Sequence, residues 1–92
     1  MKYQPVYTSR IKRQLGIAKK RGYDMRFFKD VVSKLANDMP LEARHRDHPL
    51  HGKWEGFREF HILPDWLLIY KIDGVRLILY LERTGTHSDL FV

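Results

Sequence analysis

Apolar positions change period once along the chain. Over the first half they recur at helical spacing, and over the second they gather into short β-favouring runs. Ahead of the helical part, Tyr3 to Tyr7 holds two tyrosines and a valine and predicts a strand, which feeds a helix cap at the polar pair Thr8-Ser9. From Ser9 onward Ile11, Leu15 and Ala18 share a face while Lys12, Arg13, Lys19, Lys20 and Arg21 lie elsewhere, a basic amphipathic helix ending at Gly22. Asp24 then caps a second helix with Phe27, Phe28, Val31, Val32, Leu35 and Ala36 on a broad apolar stripe. That helix should stop before Pro40, because a pre-proline residue is biased away from helical dihedrals.

Leu41 to Lys53 is polar, charged and broken by Pro49 and Gly52, so it reads as a loop with at most a short helical turn. Three strand candidates follow: Gly56 to Ile62, Trp66 to Ile72 and Val75 to Arg83. Asp73-Gly74 between the last two is a two-residue hairpin signal of type I′, which would set Ile72 against Val75. The same register sets Trp66 opposite Leu81, Asp65 opposite Glu82 and Pro64 beside Arg83, making Asp65 and Arg83 neighbours. His61 and His87 each lie close in sequence to that edge. The expected architecture is α+β, a β-α-α-β-β-β chain with two helices packed on one face of a mainly antiparallel, twisted sheet. Its other face and its ends are left for binding.

Length and charge narrow the function. Ninety-two residues suit a single domain, 1–92, with a shallow surface site rather than an enclosed cofactor pocket. Seventeen Lys and Arg against eleven Asp and Glu give a formal charge of +6, which favours polyanionic partners and salt-sensitive binding. The sequence has no cysteine, so it offers neither disulfides nor thiolate metal sites, and no apolar stretch resembles a signal peptide or membrane span. A cytoplasmic protein without membrane contact is the expectation.

The five histidines fall in three phrases: one around His45, His48 and His51, one at His61 before Asp65-Trp66, and one at His87 after Arg83. Metal-free RNA cleavage needs a base for the 2′-hydroxyl, an acid for the leaving 5′-oxygen and a cation for the phosphorane. Histidine serves both proton-transfer roles near neutral pH. Arg83 offers a two-pronged phosphate ligand, and Asp65 can take a proton or orient a histidine. Trp66 and Phe91 offer flat faces to unpaired bases. Each has an ordinary competitor: a strand-end histidine is most often a structural hydrogen-bonding group, Asp65 is a turn residue, and Trp66 can belong to the core. Lys19, Lys20 and Arg21 read either as phosphate contacts remote from the chemistry or as the solvated face of a helix. The every-third-residue spacing of His45, His48 and His51 is a weak metal signal, since Pro49 breaks the helix that would align them.

Taken together, His61 to Asp65-Trp66, Arg83-Thr84-Gly85-Thr86-His87-Ser88-Asp89-Leu90-Phe91, and the preceding Asp47-His48 and Leu50-x-Gly52 resemble the YafQ branch of the RelE/ParE toxin superfamily. The resemblance spans nearly the whole chain. It implies a RelE-like fold and a type II toxin that cuts messenger RNA in the ribosomal A site without metal or cofactor. A cognate antitoxin would neutralise it, and operator DNA would be met only through the toxin–antitoxin complex. Carried over, it makes His48, His61, Asp65 and His87 the acid and base group, Arg83 the phosphate ligand, and Trp66 and Phe91 substrate contacts. Two other readings remain: a noncatalytic ParE-like toxin that binds a protein such as gyrase, and an RNA-binding domain that does not cut.

Overall fold

The computed structural model describes residues 1–91. Its elements are β1 (Gln4–Tyr7), α1 (Ser9–Lys20), α2 (Met25–Ala36), β2 (His48–Pro49), β3 (Arg58–Leu63), β4 (Trp66–Asp73), β5 (Ile78–Gly85) and α3 (His87–Phe91), with 3-10 turns at Ala43–His45 and Gly52–Trp54. The strands form one sheet in the order β1-β5-β4-β3-β2, antiparallel except where β1 lies parallel to β5. The expected α+β arrangement is present, with the short strand β2 and the helix α3 added to it.

Both predicted helix caps form. The Thr8 hydroxyl accepts from the Ile11 N–H at 3.0 Å and the Asp24 carboxylate from the Arg26 N–H at 2.9 Å, each satisfying a free first-turn donor. The apolar stripes of α1 and α2 cover one face of the sheet, where Ile11, Phe28, Val32 and Leu35 pack with Phe60, Trp66, Leu68, Tyr70, Leu79 and Leu81. On the other face a smaller cluster joins Leu67 and Ile69 to Leu90, with Leu50, Trp54, Phe57 and Phe91 beside it. No helix among the described residues is long and apolar enough to cross a membrane.

The β4–β5 hairpin departs from the expected register. Asp73 Oδ1 accepts from the N–H groups of Val75 and Arg76, both at 3.0 Å, and Leu77 takes a φ of 58°. These bonds close a longer loop in place of a type I′ turn, and Asp73 pairs with Ile78. Leu81 therefore stands opposite Tyr70 rather than Trp66. The slide is an even number of residues, so every side chain keeps its face. Hydrophobic alternation cannot distinguish two such registers, since only an odd slip would carry Leu79 and Leu81 out of the core.

A bulge then does what alternation forbids. Tyr70 pairs with Leu81 but Ile69 pairs with Arg83, leaving Glu82 as the extra residue. Without it Arg83 would stand opposite Leu68 beneath the helices. With it, Arg83 turns to the opposite face, the local re-aiming that bulges provide beside functional sites.

Candidate active site

On the face turned away from α1 and α2, two rows of residues cross the sheet. One aligns His48, Glu59, Ile69 and Arg83 on successive strands, and the next aligns His61, Leu67 and Gly85, with His87 just beyond. Adjacent strands lie about 4.8 Å apart. Polar groups thus stand at both ends of these rows, over a floor of buried Leu67 and Ile69: Glu59 lies two strand spacings from Arg83, about 10 Å, and His48 three, about 14 Å.

The first end is built from β2 and β3. His61 Nε2 meets Glu59 Oε1 at 2.8 Å, while His48 Nε2 lies 4.0 Å from the same oxygen and the two rings are 6.4 Å apart. His48 Nδ1 donates to the Arg46 carbonyl at 2.5 Å, which leaves Nε2 as the atom facing the site. Asp47 anchors this loop. It accepts from the Tyr70 hydroxyl at 2.5 Å and from Arg58 Nε and Nη2 at 3.3 and 3.2 Å. Burial, and then the Asp47 carboxylate, push the Tyr70 hydroxyl well above its ordinary pKa, so it remains a donor. His45 is structural: it is buried, its Nδ1 donates to the His61 carbonyl at 2.6 Å, and it stacks on Phe60 with centroids 4.5 Å apart.

The second end is built from β5, α3 and the 3-10 turn at Gly52–Trp54. The Arg83 guanidinium carbon sits 4.7 Å from the Trp54 ring centroid, a cation–π contact. Its Nε is buried and has no hydrogen-bond partner among the described residues, nor does any described carboxylate form an ion pair with it. The His87 and Phe91 rings lie 4.9 Å apart, and Trp54 meets Phe91 edge-on at 6.4 Å. α3 begins in a reciprocal cap: Asp89 Oδ2 accepts from the Thr86 N–H at 2.9 Å and Thr86 Oγ1 from the Asp89 N–H at 3.1 Å.

Five predicted site residues, His48, His61, Arg83, His87 and Phe91, therefore share one face of the sheet. Asp65 does not join them. It is exposed at the β3–β4 turn, where its one side-chain hydrogen bond among the described residues is a long 3.5 Å contact from the Tyr23 hydroxyl, and the observed register ends its expected adjacency to Arg83. Trp66 is corrected as a base platform: it is fully buried, donates from Nε1 to Thr84 Oγ1 at 2.8 Å and stacks on Tyr23 with centroids 4.7 Å apart. Lys19 and Lys20 are exposed at the end of α1, whereas the groove beside Arg83 is lined by Arg10, Arg13, Gln14 and Ile17. Sequence reading missed two members. Glu59 shares the parity of His61 along β3, which is the available signal, and Trp54 falls between the 41–53 loop and the next strand, where no periodicity marks it. Among the described residues, no three His, Cys, Asp or Glu side chains converge in a metal-binding geometry.

The sequence model of a family described as "Bacterial toxin of type II toxin-antitoxin system, YafQ" matches residues 3–92. The chain belongs to the YafQ toxin family. One YafQ relative, the mRNA interferase toxin of Escherichia coli strain K12, is 43% identical over 86 residues, covering 92% of this chain and 91% of that protein. The E. coli DinJ–YafQ toxin–antitoxin complex is similar with a TM-score of 0.88 at 40% identity, covering all of both chains. A metal-bound toxin from Helicobacter pylori is similar with a TM-score of 0.91 at 38% identity, covering 97% of this chain and 99% of that one. These solved structures share the fold described above over nearly the whole chain.

Proposed function

We propose that this YafQ-family toxin is an endoribonuclease of one domain, 1–92, that cuts messenger RNA on the ribosome by proton transfer between its own side chains and the RNA. A base removes the 2′-hydroxyl proton, the freed oxygen attacks the adjacent phosphorus, and the bond to the 5′-oxygen breaks as an acid protonates it. The products are a 2′,3′-cyclic phosphate and a 5′-hydroxyl. His87 is the acid, against the Phe91 ring. The base is His48 or His61, both turned toward Glu59. Arg83 binds the nonbridging phosphate oxygens, and Trp54 and Phe91 stack against bases. Asp65 stays at the rim of this assignment, and Trp66 is a core residue.

The carrying observation is the gathering of His48, His61 and His87 on one face with an arginine whose buried Nε has no partner among the described residues. Such a group wants an anion. Arg10 and Arg13 continue the positive groove along α1 and replace Lys19 and Lys20 as the nearer phosphate contacts. A cognate antitoxin with an acidic segment would cover this basic surface, as DinJ joins YafQ in E. coli, and the pair would meet operator DNA together. Ribosomes and mRNA place the action in the cytoplasm.

Expression of His87→Ala in growing cells tests the reading. The expected result is lost growth arrest and intact mRNA; undiminished cleavage would remove His87 from the chemistry. A cyclic phosphate end on the wild-type product is expected, and its absence, with intact RNA on programmed ribosomes, would return the toxin to a noncutting class.

A further inference from the structure

α3 carries two site residues on five residues of helix, far short of what holds a helix in water by itself. Something else must keep His87 and Phe91 in place. Leu90 supplies one anchor by packing on Leu67 and Ile69, and the Thr86–Asp89 cap supplies a second. Both act within or beneath α3. Toward α1 the chain leaves a cavity of about 240 Å³ between the helices, lined by Gln14, Ile17, Ala18, Tyr23 and Thr84 and by Arg21 and Asp89 themselves. Among the described residues one side-chain hydrogen-bonded pair spans it: Arg21 Nη1 donates to Asp89 Oδ2 at 2.6 Å and Nη2 to Oδ1 at 3.3 Å.

We propose that Arg21 is a positioning residue for the reaction, which sets His87 and Phe91 over the Arg83 end of the site by clamping Asp89. The inference rests on the assignment of His87 given above. Three features carry it. The fork of the guanidinium meets both oxygens of one carboxylate, a geometry that fixes orientation as well as distance. Asp89 Oδ2 is shared between Arg21 and the Thr86 N–H, so the clamp and the helix cap are one network. The strand feeding α3 fits closely against the same side chain: a Cβ at Gly85 would lie 3.0 Å from both Cβ and Oδ2 of Asp89. In keeping with this, Arg21 and then the Thr86 N–H hold the Asp89 carboxyl far below the usual range, so it is ionised wherever the protein is folded and active.

Arg21 differs here from Arg10, Arg13 and Arg83, which have no carboxylate partner among the described residues and are free for phosphate. An arginine committed to Asp89 acts through α3, not on the RNA.

The test compares Arg21→Ala, Asp89→Ala, the double variant and Arg21→Lys as purified toxins on mRNA-programmed ribosomes, with kcat and KM separated. Amide exchange of Ser88 to Phe91 is followed in the free toxins. Arg21→Ala is expected to lower kcat by roughly 10- to 100-fold, the scale of a misplaced catalytic group, with KM changed less than about threefold. Exchange at Leu90 should quicken, the double variant should be no worse than Asp89→Ala, and Arg21→Lys should recover part of the loss. A raised KM with unchanged kcat, or losses that multiply in the double variant, would make Arg21 a direct RNA contact and overturn the proposal. So would unaltered exchange in α3. His87→Ala in the same assay keeps the two readings apart: if it cleaves normally the assignment of His87 fails, while the exchange data still report whether Arg21 holds α3.

Discussion

Glu59 is the residue whose chemistry is least replaceable at the first end of the site. Its side chain is nearly buried, yet one oxygen receives His61 Nε2 and faces His48 Nε2. A carboxylate in that position fixes which ring atom carries the proton and which way the ring points. Glu59→Gln keeps the shape but can present an N–H to the imidazole; kcat for mRNA cleavage should fall by roughly 10- to 100-fold, the range seen when an orienting partner is lost. Thermal unfolding within about 1 kcal/mol of the parent would show that the loss is local. Tyr70 works at one remove. Its hydroxyl satisfies Asp47, the residue before His48, from a fully buried ring. Tyr70→Phe should cost about 1–3 kcal/mol in urea unfolding, since Asp47 keeps Arg58 but loses a buried donor. Trp66 has the same architectural character, so Trp66→Phe should lower stability and leave KM for RNA unmoved.

At the scale of elements, the site depends on one bulge and one short helix. The Glu82 bulge takes Arg83 out of the core face and turns it to the face that carries His48 and His61. α3 depends on Asp89, whose carboxyl is held below its unfolded pKa by Arg21 and the Thr86 N–H. A depressed folded value means that its stabilisation is complete above the unfolded pKa, near 4, and is lost as pH falls through the lower folded value. Amide exchange in α3 should accelerate first on acidification below about pH 4, ahead of the sheet, and Asp89→Asn should abolish that difference. Gly85→Ala meets the same helix from β5. The added methyl would press on Asp89 Cβ at 3.0 Å, which cannot swing away as a flexible tip would, so α3 should shift and cleavage fall.

Across the whole molecule, a +6 chain with an arginine groove beside its site should bind RNA through phosphate charge. Raising salt from 50 to 200 mM, roughly, should raise KM steeply with little effect on kcat, and Arg10→Ala with Arg13→Ala should flatten that dependence. Toxin treated with chelator and dialysed free of metal should cleave undiminished on programmed ribosomes kept in magnesium, because the proposed proton transfers use side chains alone; activity that returns only when one transition metal is added back to the toxin would overturn that mechanism. Much of this was legible in the chain itself. Helical spacing and the Thr8 and Asp24 caps determined α1 and α2, and alternation determined which face of β3, β4 and β5 enters the core. His48, His61, Arg83 and His87 could be proposed from the chain, His61, Arg83 and His87 because proton transfer and phosphate binding belong to those residue types, and His48 mainly through the family resemblance. Tertiary structure decided where they stand. Alternation has a period of two and is blind to even slips and to a bulge, so the longer Asp73 loop and the turning of Arg83 were settled by backbone hydrogen bonds and packing. Asp65 parted from Arg83 for that reason. Burial of Trp66 and the reach of Arg21 across the chain to Asp89 arise only when α1, β5 and α3 meet, because no local pattern encodes a contact between residues so distant in sequence.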